Sequence, residues 1–346
     1  MTIPIENIYF LLCYAWNKLQ EKDIVNVSNK GFTNIVNLFA RILISGLIHL
    51  FKRGICRNYI TYIEETSCLR GKLLINESLN KLLLNQGKAV CELSEYSNNV
   101  IHNQIIKATI KILLLSNELD IEYKNELIKV LRYFRNIDDI IITNKSFYKV
   151  ILHRNNYFYD FLLKVCELIY YNILIDEKDG SSKFQDFIQD ERQMALLFEN
   201  FIRNFYKYEQ TEYKISRENI TWQAKALTKE SIGFLPTYQT DISLESKDRK
   251  IIIDAKFYKE ALLKHYDKEI IRSDHINQLF AYLKNLEADG GLNEQCEGIL
   301  LYPTVDKEIK LSYEIWGHKI QILTINLNKD WLEISKLLLN ILKISL

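Results

Sequence analysis

Proline and glycine are scarce in this chain, with 3 and 11 in 346 residues. So few breakers and flexible positions exclude collagenous and disordered classes and imply dense regular structure. An excess of charge of one sign is also missing. The 45 basic and 44 acidic residues sum to +1, so no global field draws the protein onto nucleic acid, and any such binding needs a local patch or a partner. Cys13, Cys56, Cys68, Cys91, Cys166 and Cys296 are scattered, with no CxxC and no paired spacing. That excludes a zinc ribbon or disulfide framework and leaves six reduced core cysteines. The opening Met1-Thr2-Ile3-Pro4-Ile5-Glu6 has neither a basic region nor a small-residue cleavage site, so a cytoplasmic protein is expected. No Walker A, GxGxxG, HExxH or GxSxG motif occurs, so GTP hydrolysis, dinucleotide, zinc-protease and serine-hydrolase chemistry have no anchor in this chain.

What is present is a large apolar complement, 48% of residues, enough for a sizeable core in one or two domains. The most apolar stretch, 35–51, carries Asn37, Arg41, Ser45 and His49 every four residues. A polar stripe of that kind predicts an amphipathic core helix and no membrane span. The first half mixes helices with strands near 59–64 and 89–93, and a helix over 103–116 keeps Lys107 and Lys111 on one side. The pattern loosens between 135 and 156, and 176–183 is a turn-rich polar loop. The expected class is α/β (α+β), with a domain boundary near 150. Residues 151–346 read as helices over 157–173 and 191–206, strands over 213–220, 238–245 and 251–255, a helix over 270–286, strands over 298–302 and 321–325, and a helix over 331–344.

The informative segment is Thr240-Asp241-Ile242-Ser243-Leu244-Glu245-Ser246, a polar Lys247-Asp248-Arg249-Lys250 turn, then Ile251-Ile252-Ile253-Asp254-Ala255-Lys256. Two antiparallel strands are predicted. With Ser246 opposite Ile251, Asp241 faces Lys256, and the period of two puts Asp254 on that same face. Two close carboxylates repel and are stabilised together by a hard divalent cation, for which Mg²⁺ is the expected occupant, with the Ala255 carbonyl as a further oxygen. Such an ion polarises a phosphodiester and activates water while a lysine steadies the developing charge. The bland alternative is a set of solvated strand-edge charges. A carboxylate ending an otherwise unbroken isoleucine run argues against it, because burial without a partner is costly.

Asp241, Asp254, Ala255 and Lys256 resemble the PD-(D/E)xK nuclease motif, with Thr240 where that motif has proline. The resemblance implies a catalytic set of Asp241, Asp254 and Lys256, with Glu199 from a preceding helix, and Gln278, four residues before Tyr282, as a polar residue lining the site. His275 reads as a surface histidine. At the front, Ile3-Pro4-Ile5-Glu6-Asn7-Ile8-Tyr9, Tyr14-Ala15-Trp16 and Leu69-Arg70-Gly71-Lys72 resemble the McrC family, the nuclease subunits of McrBC methylcytosine-dependent restriction complexes. That resemblance implies an N-terminal docking domain, 1–150, inserted into a hexameric ring of a GTP-hydrolysing AAA+ partner (McrB-like) whose NTPase it stimulates. It further implies a nuclease domain, 151–346, with a central mixed sheet flanked by helices, acting on double-stranded DNA that contains modified cytosine. The alternatives from the same residues are a catalytically silent regulator of the NTPase and a stand-alone nuclease. Arg70 and Lys72 stand as contacts to a partner or phosphate, or as an ordinary basic turn.

Overall fold

The structure, a computed structural model, describes residues 3–19, 34–153, 156–175, 182–184, 190–228, 231, 233–258, 262–265, 268–306 and 308–343. In chain order the elements are α1 (Ile5–Ala15), α2 (Ile35–Arg53), β1 (Asn58–Thr66), β2 (Lys72–Leu73), α3 (Ile75–Asn80), β3 (Ala89–Ser97), α4 (Ile101–Leu114), α5 (Ile121–Leu131), α6 (Asn144–Tyr148) and α7 (Phe158–Asn172). They continue with β4 (Ile173–Ile175), β5 (Ser182–Phe184), α8 (Glu191–Glu209), β6 (Lys214–Ser216), β7 (Asn219–Ile220), β8 (Tyr238–Gln239), β9 (Ile242–Glu245) and β10 (Lys250–Ala255). The last are β11 (Leu262–His265), β12 (Lys268–Ile271), α9 (Ser273–Glu287), β13 (Glu297–Thr304), β14 (Lys310–Ile315), β15 (His318–Asn326) and α10 (Trp331–Lys343). Most of the polar loop expected over 176–183 lies outside the described residues.

The chain divides into two compact units, 33–185 and 1–32 with 186–346. The boundary therefore falls later than the expected 150, and the first residues belong with the C-terminal unit. Packing explains both differences. α7 buries Phe161, Leu162, Val165 and Cys166 and lies against α2 and α4, so it completes the first core instead of opening the second. α1 lies against α8. Its buried Asn7 donates to the Leu327 and Lys329 carbonyls at 2.7 and 2.8 Å, and Phe10 stacks on Trp331 at 4.7 Å.

Unit 33–185 pairs its helices with a small antiparallel sheet of order β1-β3-β2. α2 is long and apolar enough to cross a membrane by length and composition, and 67% of that stretch is buried within the protein. Asn37, placed on the expected polar stripe, is buried and accepts from the Asp120 main chain at 3.0 Å. α5 was not anticipated. Its frequent charges mask a buried face of Tyr123, Leu127 and Val130.

The other unit is built on a mixed six-stranded sheet of order β14-β15-β13-β10-β9-β6. β10, β13 and β15 run parallel, while β9, β6 and β14 are antiparallel to their neighbours. Ile252, Leu300, Ile320 and Ile322 of the sheet share a core with Leu279, Leu283 and Leu286 of α9. The expected strands 213–220 and 238–245 are each broken, leaving β6 and β7, and β8 and β9. The breaks lie side by side: Thr240 donates its N–H to the Glu218 carbonyl at 2.9 Å, and its Oγ1 accepts from the Glu218 N–H at 2.9 Å. Proline, which the PD-(D/E)xK motif has at this position, lacks both that N–H and the hydroxyl.

Candidate active site

The hairpin forms, but its register differs from the expected one. Glu245 pairs with Lys250 and Ile242 with Ile253, so continuation of the ladder sets Asp241 opposite Asp254 instead of Lys256. Lys250 belongs to the strand because its buried ammonium meets Glu218 Oε2 at 2.9 Å and Glu245 Oε2 at 3.6 Å. The turn is closed by Ser246 N–H donating to the Arg249 carbonyl at 2.9 Å, two residues before the expected partner Ile251. Moving the pairing by one rung keeps parity, so Asp241, Asp254 and Lys256 still converge on one face.

At the end of β10, Asp241 Oδ2 accepts from the Ala255 main-chain N–H at 2.9 Å. Asp254 is fully buried, and among the described residues neither of its carboxylate oxygens receives an aligned hydrogen bond. Lys256 Nζ stands 3.0 Å from Asp254 Oδ2, an ion-pair contact. Burial, then repulsion from Asp254 and Glu199, pushes the Asp241 carboxyl up to about 7. Burial likewise raises the Asp254 pKa, against the attraction of Lys256. Two carboxylates held this way lack positive charge.

The Lys256 ammonium stays at ion-pair distance from Asp254 and donates to Gln278 Oε1 at 2.8 Å. Gln278 Nε2 then donates to the Tyr282 hydroxyl at 2.6 Å, and that hydroxyl donates to the Gln239 carbonyl at 3.3 Å. The direction of this chain is set from its end. A main-chain carbonyl only accepts, so Tyr282 gives its proton there and takes one from the glutamine amide, whose oxygen is left for the ammonium. Burial and the Asp254 charge push the Tyr282 hydroxyl up to about 12, so it stays protonated in this role.

Glu199, on α8, approaches through arginines. Its Oε1 meets Arg203 Nη1 at 2.8 Å and Arg217 Nη2 at 3.2 Å. Arg203 Nη1 also donates to the Asp241 carbonyl at 3.4 Å. The Glu199–Arg203 pair is legible in the sequence as an i,i+4 match. Arg217 gave no local signal, because the strand break brings it there. His275 is a correction: it is buried, with Nδ1 2.8 Å from the Tyr302 hydroxyl, and burial drives its pKa down to about 4. The sequence reads it as a surface histidine, but α9 packing on β13 covers it. Arg70 and Lys72 lie in the other unit, both exposed, at 2.8 Å from Glu64 and 3.8 Å from Glu92.

The residues suit a divalent cation of the hard class. Among the described residues no three His, Cys, Asp or Glu side chains form a ready-made cage. Asp254 nonetheless offers two buried, unbonded oxygens beside Asp241. One or two carboxylates, completed by water and substrate oxygens, is how proteins hold Mg²⁺.

The family described as McrBC 5-methylcytosine restriction system component matches residues 6–303. The chain is 30% identical over 339 residues to the type IV methyl-directed restriction enzyme EcoKMcrBC of Escherichia coli (strain K12), covering 98% of this chain and 97% of that protein. It shares a fold, at TM-score 0.60 and 18% identity, with a chain of the half-complex from the tetradecameric assembly of Thermococcus gammatolerans McrB AAA+ hexamers with bound McrC, covering 98% of this chain and 75% of that one. The cryo-EM structure of the Thermococcus gammatolerans McrBC complex matches at TM-score 0.45 and 22% identity, over 61% of this chain and 60% of that one. With the family match running from residue 6 to residue 303 and near-complete mutual coverage with the Escherichia coli enzyme, this chain belongs to the McrBC family of restriction-system components.

Proposed function

We propose that this chain is the DNA-cutting subunit of a methylcytosine-directed restriction complex, a Mg²⁺-dependent endonuclease working with an AAA+ GTPase hexamer. The observation that carries the reading is Asp254: a fully buried carboxylate with unbonded oxygens, beside a second carboxylate and a lysine. Its cationic neighbour, Lys256, is shared with Gln278, so the two close carboxylates carry more negative charge than that lysine offsets. Asp241, Asp254 and the Ala255 carbonyl would hold the cation. When bound, it supplies Lewis acidity to the phosphodiester and lowers the pKa of a water.

The chain's own groups do the rest. Asp241 is oriented by the Ala255 N–H, so its free oxygen is aimed before any ligand arrives. Lys256 is held by its ion pair with Asp254 and its hydrogen bond to Gln278, with ammonium N–H left for a phosphate oxygen or the attacking water. Glu199, steadied by Arg203 and Arg217, adds negative charge beside the two aspartates.

The partner reading rests on the relatives, one of which is named for McrB AAA+ hexamers with bound McrC. The near-zero charge suits a nuclease delivered to duplex DNA by a motor. Docking falls to unit 33–185, whose sheet leaves Tyr59, Ile63 and Tyr96 exposed. A DNA-cutting subunit acts where DNA is, in the cytoplasm. The deciding experiment is Asp254→Ala in the assembled complex: cleavage of methylated duplex is lost, while GTPase stimulation persists. Undiminished cutting refutes the site, and strong cutting by the chain alone would make it a stand-alone nuclease.

A further inference from the structure

We propose that Arg217 is a phosphate-positioning residue, whose free guanidinium edge takes a backbone phosphate next to the bond to be cut; this rests on reading the site as a nuclease. Three cations surround the carboxylates of Asp241, Asp254 and Glu199, and they differ in what they have left to give. The Lys256 side chain is 17% exposed and is engaged by Asp254 and Gln278. Arg203 is 19% exposed and is engaged by Glu199, Asn200 and the Asp241 carbonyl. Arg217 is 39% exposed. It spends Nη2 on Glu199 Oε1 at 3.2 Å and Nε on the Thr240 carbonyl at 3.4 Å, and among the described residues its Nη1 has no partner.

Both acceptors belong to the frame of the site, Thr240 being the residue before Asp241. The guanidinium is thereby oriented in advance with one edge turned to solvent, the state in which a planar fork binds a phosphate at low entropic cost. Electrostatics gives it a task. A phosphodiester approaching three carboxylates is repelled, and a fixed rim cation offsets that repulsion. Phosphate contacts of this kind set register on the duplex without reading sequence. The strand break between β6 and β7 puts Arg217 in place: an unbroken strand over 213–220 would have continued the ladder past it.

The test compares cleavage by the chain assembled with its AAA+ partner, on subsaturating methylcytosine-containing duplex DNA, across salt. The partner's own DNA contacts are common to every variant, so differences in slope report Arg217. For Arg217→Ala we expect cleavage about tenfold slower at low salt. That deficit should shrink about threefold to fourfold between ~50 and ~200 mM salt, as removal of one phosphate contact requires. Arg217→Lys, which keeps the charge, should retain the wild-type slope with a smaller deficit. Glu199→Gln with Arg217→Ala, measured against Glu199→Gln alone, should show the same salt-dependent deficit. A deficit that does not change with salt, or one that disappears in the Glu199→Gln background, overturns the proposal and leaves Arg217 as a clamp on Glu199. If Asp254→Ala cuts normally, the nuclease reading falls and this inference with it. If Asp254→Ala is dead while the Arg217 deficit is flat with salt, only this inference falls.

Discussion

Two strands of this protein, one from each main sheet, differ in what covers them. β10, Lys-Ile-Ile-Ile-Asp-Ala, is buried at all six positions, whereas β1, Asn-Tyr-Ile-Thr-Tyr-Ile-Glu-Glu-Thr, has no buried position. A charge on the covered sheet cannot shed its cost to water, so Asp254 stands against the Lys256 ammonium at 3.0 Å. On the open sheet Arg70 and Glu64 pair at 2.8 Å in solvent, where an ion pair adds little to stability and both side chains stay available to another surface. Burial fixes geometry for chemistry; exposure leaves surface for recognition.

The contrast breaks if one isoleucine behaves like another. Ile252→Asp, at a fully buried position, should destabilise by several kcal/mol and abolish cooperative unfolding. Ile63→Asp, at a position 58% exposed, should stay within about 0.5 kcal/mol in urea unfolding. Equal effects would mean that the sheets are not differently covered.

Next in size are the glycines. A Cβ on Gly298 of β13 would come within 2.9 Å of Leu279 and Leu283 of α9, the helix that carries Gln278. Gly298→Val should cost about 1–3 kcal/mol by overpacking and lower cleavage as well. On the open sheet, Gly71 has φ +71° and a Cβ would meet the Glu92 carbonyl at 2.3 Å. Gly71→Ala should disturb the β2–β3 approach and GTPase coupling while Mg²⁺ still raises the melting temperature as in wild type.

pH sharpens the comparison further. A carboxyl whose pKa is raised on folding, as Asp241 is from 3.8 to about 7, gives stability that is complete below the lower value and lost as pH climbs through the higher one. The metal-free chain should therefore lose melting temperature relative to Asp241→Asn between about pH 4 and pH 7. Magnesium should recover more at pH 8 than at pH 5; an equal recovery at both would refute a shared cation site. The smallest expected change is that of Arg70→Ala, which should leave the unfolding curve where it is and reduce only stimulation of the partner's GTPase.

Much of the site was legible in the chain because its central pieces are close in sequence. Asp241, Asp254 and Lys256 lie on one hairpin, where the alternation of strand side chains decides the face. The pairing moved by one rung, opposing Asp254 to Asp241, yet parity kept all three together. Gln278 was legible through its four-residue spacing from Tyr282, but not the direction of the hydrogen bonds between them. α5 and β14 were not legible, since a charged helix and an alternating edge strand carry weak periodic signals.

What the sequence by itself determined is therefore the local grammar: mixed helices and strands, the acidic hairpin ending an isoleucine run, and the family to which those motifs belong. What only the tertiary structure decided are matters of contact between distant segments. These are the placing of α1 on α8, the later unit boundary, the burial of His275, and the Arg203 and Arg217 grip on Glu199. The physical reason is range. Backbone periodicity acts over a few residues and is written in the chain, whereas desolvation and ion pairing depend on which remote surface closes over a side chain.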